Sequence, residues 1–150
     1  GKHHREDGPA IEWSDGTKEW YLNGKLHRED GPAVECANGT KSWYLNDKRH
    51  REDGPAIEWS YGHKEWFLNG KLHREDGPAI EWSDGAKEWY LNGKLHREDG
   101  PAIEYPSHKY WCLNGKCLTE AQFNEKMKKP CENKVVEIDG IKYKLTVMED

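Results

Sequence analysis

No apolar run in this chain approaches the roughly 20 residues that cross a bilayer as a helix, and no charged-then-apolar opening resembles a secretory leader. A membrane role is therefore not expected. Basic charge is not in excess either: 23 Lys and Arg stand against 28 Asp and Glu, a formal net charge of −5. Proteins that track phosphates gain affinity by neutralising them, so this balance disfavours a nucleic-acid partner. The four cysteines, Cys36, Cys112, Cys117 and Cys131, form no C-x-x-C pair and no His-containing ligand spacing. No metal site and no cofactor is expected from them; they read as reduced thiols of a cytoplasmic protein. Phe and Met are scarce, at two each, and hydrophobic residues only equal charged ones at 34%. That composition borders on disorder, but eight Trp and seven Tyr supply the apolar area that ordered structure needs.

What the chain has in abundance is repetition. His-Arg-Glu-Asp-Gly-Pro-Ala begins at His4, His27, His50, His73 and His96, always 23 residues apart. A period of this size is a repeat architecture, in which each unit buries its faces against its neighbours. Within a unit, Ala10-Ile11-Glu12-Trp13 and Lys18-Glu19-Trp20-Tyr21-Leu22 alternate around Asp15-Gly16. This predicts an antiparallel hairpin with a two-residue type I′ turn at Asp15-Gly16. In that register Ile11, Trp13, Trp20 and Leu22 share an apolar face, while Glu12 and Glu19 lie on the other. The expected fold is mostly β: an elongated antiparallel array of five hairpin repeats over residues 1–117, meandering through ten short strands. Columns of Trp20, Trp43, Trp66, Trp89 and Trp111 and of Ile11, Val34, Ile57, Ile80 and Ile103 would form its core.

Residues 118–150 read as a separate α+β cap. Thr119 and Gln122 make a capping box, Leu118 and Phe123 a hydrophobic staple, and Pro130 ends the helix. Val135 to Leu145 then forms a second Asp-Gly hairpin that sets Glu137 opposite Lys142. A repeat array needs its last edge covered, which this segment would supply.

The stretch Trp20-Tyr21-Leu22-Asn23-Gly24-Lys25, followed by Gly31-Pro32-Ala33-Val34 and Asn38-Gly39, resembles a variant of the MORN repeat. It is similar to repeats in small proteins of tailed bacteriophages and bacteria. A fainter likeness, to choline-binding cell-wall repeats, rests on Trp-Tyr hairpins with Asn-Gly turns. MORN proteins are generally scaffolds or binding modules. The resemblance thus implies a protein-interaction role, and the phage likeness an inhibitor or modulator of a host or defence protein in the host cytoplasm.

The His-Arg-Glu-Asp cluster is the one dense set of reactive side chains. Five identical copies along an array give five identical partial environments, whereas catalysis needs different groups converging on one point. The cluster is expected to be loop chemistry, Asp30 accepting from amides near Gly31 and Arg28 pairing with carboxylates such as Glu29 of its own or a neighbouring repeat, and the protein to be a non-enzymatic binder. Specific recognition is expected where the repeat pattern breaks: Arg49 in the second repeat, Tyr61 and His63 in the third, and Tyr105, His108 and Tyr110 in the fifth. Cys36 and Asp47 are further breaks. The alternative is a small-ligand, nucleotide or glycan binder using aromatics between repeats. A homo-oligomer through the free edge of the first strand, Ala10 to Trp13, is a further possibility.

Overall fold

The structure, a computed structural model, describes Arg5, residues 7–128, 135–138 and 141–144. Among these, eleven strands form one antiparallel sheet. Each repeat contributes two: Ile11–Glu12 with Lys18–Glu19, Val34–Glu35 with Lys41–Ser42, Ile57–Glu58 with Lys64–Glu65, Ile80–Glu81 with Lys87–Glu88, and Ile103–Glu104 with Lys109–Leu113. Ile11–Glu12 lies at one edge and Lys116–Leu118 at the other. The chain is therefore mostly β, a tandem array of antiparallel hairpins, as its periodicity requires.

The expected meander needs one correction, because the second strand of each of the first four repeats breaks at its Trp, whereas Lys109–Leu113 runs on through Trp111. The Trp20 amide donates to Ala33 O of the next repeat (2.8 Å), and Trp43, Trp66 and Trp89 repeat this bond at Ala56, Ala79 and Ala102. The residues beyond turn into separate small hairpins, such as Tyr21–Leu22 with Lys25–Leu26. Here the type I′ turn is found: Asn23 and Gly24 take φ of 54° and 80°. Each unit is thus two hairpins set end to end. Asp47 stands where the first repeat has Gly24 and takes φ 66°. Its amide donates to Leu26 O (2.9 Å) while its carboxylate accepts from Leu26 N (2.8 Å), which offsets the left-handed backbone.

The main hairpin also differs from the expected register. Trp13 N donates to Thr17 O (2.8 Å) and Gly16 N to Trp13 O (3.0 Å), with Gly16 at φ 94°. The loop is therefore three residues, Ser14-Asp15-Gly16, a tight turn completed by a glycine bulge. Asp15 favours it by accepting from Thr17 N (2.8 Å) through its own side chain. One extra loop residue slides the second strand by one, and with a period of two that exchanges its faces. Ile11 faces Glu19 and Glu12 faces Lys18. Glu19, Glu65 and Glu88 consequently share the face of Ile11, Ile57 and Ile80, not the charged face. The charged face becomes a ladder of alternating Glu and Lys, with Lys18 meeting Glu35 and Lys64 meeting Glu81 across successive hairpins. In the fifth repeat Pro106-Ser107 makes a two-residue loop closed by Tyr105 N to His108 O (3.0 Å), and Glu104 still meets Lys109.

The buried interior is thin. Ala33, Ala56, Ala79 and Ala102 have no exposure, and Ile57 and Ile80 lie beside them at 1% and 8%. The Trp column expected as core is only half-buried; an arginine lies over the ring of Trp20, Trp43, Trp66 and Trp89 instead.

The helix Glu120–Met127 starts with the expected capping box, Gln122 N donating to Thr119 Oγ1 and Thr119 N to Gln122 Oε1. Phe123 is its buried residue, and the helix packs against Lys109–Leu113 and Lys116–Leu118, the last strands of the array. Val135–Ile138 pairs with Ile141–Lys144 and sets Glu137 opposite Lys142. The Asp139-Gly140 turn, Pro130 and Cys131 lie outside the described residues. For Cys112 and Cys117 the sequence favours thiols and leaves a disulfide across Asn114-Gly115 as the alternative; the structure has the disulfide. The Asn114-Gly115 turn places them directly opposite each other on neighbouring strands, which makes the bond possible. Cys36 is free, and burial raises the pKa of its thiol.

Candidate functional site

The repeated heptapeptide is a clasp between repeats, and among the described residues its His, Arg and Asp side chains are hydrogen-bonded. His27 Nδ1 accepts from the Asn46 amide (3.3 Å) in the small-hairpin turn of the next repeat; His50, His73 and His96 do the same for Asn69, Asn92 and Asn114. Accepting there puts the ring proton on Nε2, which faces Glu29 at 3.6 Å. Arg28 does the most. Its Cζ lies 4.1 Å from the Trp20 ring centroid, its Nε donates to Asp30 (2.9 Å), and its Nη1 donates to Pro32 O and Glu35 (both 3.2 Å). Arg28 pairs with carboxylates as expected, but they are Asp30 and Glu35 and not Glu29: the loop turns Asp30 back onto the guanidinium and leaves Glu29 outward, beside His27.

The arginine's hydrogen bond holds the carboxyls of Asp7, Asp30, Asp53, Asp76 and Asp99 below their ordinary range. A carboxyl with a depressed folded pKa stabilises the fold above its unfolded pKa, and that contribution is lost as pH falls. The melting temperature is therefore expected to fall below about pH 4, where an unfolded Asp takes up its proton, by a modest amount per carboxyl because these side chains are exposed. Asp53→Ala is expected to lower the melting temperature at neutral pH and to make the acid slope shallower. A melting series from neutral to acidic pH checks both.

The other end of the main hairpins carries aromatic side chains in every repeat but the second, which has Cys36 and Ser42, and the glutamates that changed face organise them. In the first repeat Glu19 accepts from Trp13 Nε1 (3.1 Å) and Tyr21 OH (3.0 Å). In the fourth, Glu88, only 6% exposed, accepts from Trp82 Nε1 (3.1 Å), Tyr90 OH (3.0 Å) and Tyr105 OH (2.8 Å). Burial, followed by the charge of Glu88, pushes Tyr90 up to about 12. The third repeat departs from this scheme. His63 Nε2 takes Glu65 (2.8 Å), so the proton there sits on Nε2, and the tyrosine position becomes Phe67, which needs no acceptor. Among the described residues Trp59 Nε1 and His63 Nδ1 are left buried without a hydrogen-bond partner.

Glu65 was expected on the charged face, where truncation would be silent. Its side chain is 18% exposed and bonded to buried His63. Glu65→Ala is now expected to cost about 1.5 kcal/mol, the scale for a hydrogen bond to a charged group. Lys64→Ala, on the exposed ladder, is expected to stay within about 0.5 kcal/mol. Chemical denaturation of the two variants separates the registers.

The six residues singled out from sequence fall into three places. Tyr61 is 61% exposed and stacks on His63, with centroids 6.3 Å apart at 16°. His63 is 2% exposed and lies against Trp82 at 4.3 Å, so it supports the surface rather than forming it. Tyr105, His108 and Tyr110 cluster at 4.9 and 5.2 Å, with Tyr110 47% exposed. Glu88 links this cluster to Trp82 through the bonds from Trp82 and Tyr105. Arg49 stands apart from both. It occupies a position that is Leu26, Leu72 or Leu95 in other repeats, donates to Tyr44 OH (3.2 Å) and lies over Phe67 at 5.3 Å. Ser42 has replaced the glutamate of that repeat, and Arg49 gives Tyr44 a partner. Sequence reasoning missed Trp13, Trp59, Trp82 and Glu88, since the displaced register hid the glutamates among surface charges. Their signal was present all the same: Trp and Tyr recur at fixed offsets from that Glu. No family model matches the chain, and no curated protein matches it.

Proposed function

We propose that the protein acts by binding another protein through the turn-tip stripe centred on Tyr61, without catalysis. The observation that carries this reading is Tyr61 itself. A large aromatic stands 61% exposed where the first and fourth repeats have Asp15 and Asp84, with a cluster of Trp59, His63 and Trp82 around and beneath it. Tyr and Trp are the residues that dominate interface energetics, and adjacent exposed rings make the contiguous apolar patch that marks such sites. In the same cluster Trp59 Nε1 lacks the glutamate bond that Trp13 and Trp82 make, because Glu65 is bonded to His63 instead. The MORN-like character of residues 1–117 supports the same reading, and the phage likeness would make the partner a host protein.

The test is affinity capture with the chain and with Tyr61→Asp, which restores the residue of the first and fourth repeats. One stoichiometric partner, captured at least tenfold less by the variant at unchanged melting temperature, is the expected result. Equal capture by both would place the interface elsewhere. Saturable binding of a glycan or nucleotide, with no protein captured, would replace this reading with a small-ligand one.

A further inference from the structure

Between successive clasp loops lies an open cleft, and it recurs at Trp20, Trp43, Trp66 and Trp89. The cleft at Trp66, of about 790 Å³, has Trp66 and Leu68 at its base. One wall carries Glu52 and Asp53, the other Glu75 and Asp76. These clefts sit at the opposite end of the strands from the aromatic stripe.

The polar groups of the cleft face in different directions. Arg51 and Arg74 are engaged internally, Nε with Asp53 or Asp76 and Nη1 with a proline carbonyl and a strand glutamate, while each lies over a Trp. The carboxylates face outward: the side chains of Glu52, Asp53, Glu75 and Asp76 are 82 to 85% exposed. Glu52 and Glu75 have only a 3.6 Å approach from His50 and His73 as ion-pair contact. A cation entering the cleft meets the carboxylates of Glu52 and Glu75, while those of Asp53 and Asp76 are held by Arg51 and Arg74, so the acidic side chains outnumber the arginines four to two. An anion meets guanidiniums that are already taken at Nε and Nη1. Charge complementarity therefore selects a cationic guest.

The spacing selects its shape. Successive clefts lie two strands apart, about 9.6 Å at the usual strand separation. A polyproline II chain returns to the same face every three residues, about 9.3 Å. A β-strand repeats its face every two residues, at about 6.6 or 13 Å, and falls out of step at the first neighbour. An α-helix returns after seven residues, about 10.5 Å, and drifts by nearly 1 Å at every cleft.

We infer that the clasp edge binds an extended polyproline II segment carrying Lys or Arg at every third residue, one cationic side chain per cleft. This surface is separate from the turn-tip stripe and does not depend on it.

Fluorescence anisotropy with a labelled (Pro-Pro-Arg)₅ peptide tests this directly. A peptide of identical composition with its arginines in one block, and a helical peptide with Arg every seventh residue, are the comparators. The periodic peptide is expected to bind at least tenfold more tightly than either. Changing Glu29, Glu52, Glu75 and Glu98 together to Gln is expected to weaken it about tenfold, and Glu75→Gln alone about twofold, so the inference stays testable if the fourfold variant fails to fold. Equal binding of the block peptide, tighter binding of the helical one, or no loss in the Glu→Gln variants would each overturn it.

Discussion

Trp66→Ala is expected to destabilise the chain by about 3 kcal/mol, the lower end for truncating a large aromatic, since Trp66 is half-buried. The loss has two parts. The indole covers apolar area beside Ala79, to which its amide is also bonded (2.8 Å), and it is the surface on which Arg74 rests at 4.1 Å. Without the ring, the guanidinium keeps Asp76, Pro78 O and Glu81 but loses its base. Trp66→Phe restores a ring face and is expected to recover about half of the loss. Urea denaturation of both variants is the measurement. If Trp66→Ala costs less than about 1 kcal/mol, the arginine–tryptophan stack is not what holds neighbouring repeats together.

The second large effect comes from a methyl group. Gly77 is not among the glycines with left-handed φ, so its backbone does not require glycine. Its neighbour does. A Cβ at Gly77 would stand 2.9 Å from Arg74 Cζ, and the corresponding clearances at Gly31 and Gly54 are the same. Arg74 must shift to admit it, and the shift strains its bonds to Asp76, Pro78 O and Glu81 and its seat on Trp66. Gly77→Ala is therefore expected to cost on the order of 2–3 kcal/mol, as several charged hydrogen bonds are weakened together. Gly85→Ala is the contrast: φ is +90° but nothing lies within 4 Å, and only the left-handed backbone penalty of about 1–2 kcal/mol applies. If Gly85→Ala proves the more harmful, the clasp is looser than its geometry implies.

The two variants show where sequence reasoning reached and where it stopped. The period of the heptapeptide disclosed the array, and alternation around Asp15-Gly16 disclosed the hairpin. The same dipeptide misled on register, because Asp-Gly serves both a two-residue turn and the three-residue loop found here. A one-residue slip then hid Glu19, Glu65 and Glu88 among the surface charges and, with them, the reason that Trp13 and Tyr21 recur. Duplication set the His-Arg-Glu-Asp loop apart from the candidate active sites as loop chemistry, and its arginines and histidines do bond across the array. It did not reveal the partners, since the stack of Arg28 on Trp20 and the bond from Asn46 to His27 join residues 8 and 19 positions apart. At the turn tips, the departures at Tyr61, Tyr105 and Tyr110 were visible in the repeats themselves. Which of them face outward depended on packing: Tyr61 and Tyr110 do, His63 does not.

Hydrogen exchange on the chain with and without its captured partner tests the central claim most directly. Binding at the turn-tip stripe predicts slowed exchange at the loop amides around residues 59–63, 82–86 and 105–110, with little change in the small-hairpin turns at Asn46, Asn69 and Asn92. Protection confined to the clasp loops or to the helix Glu120–Met127, with the amides around Tyr61 unaffected, would contradict it.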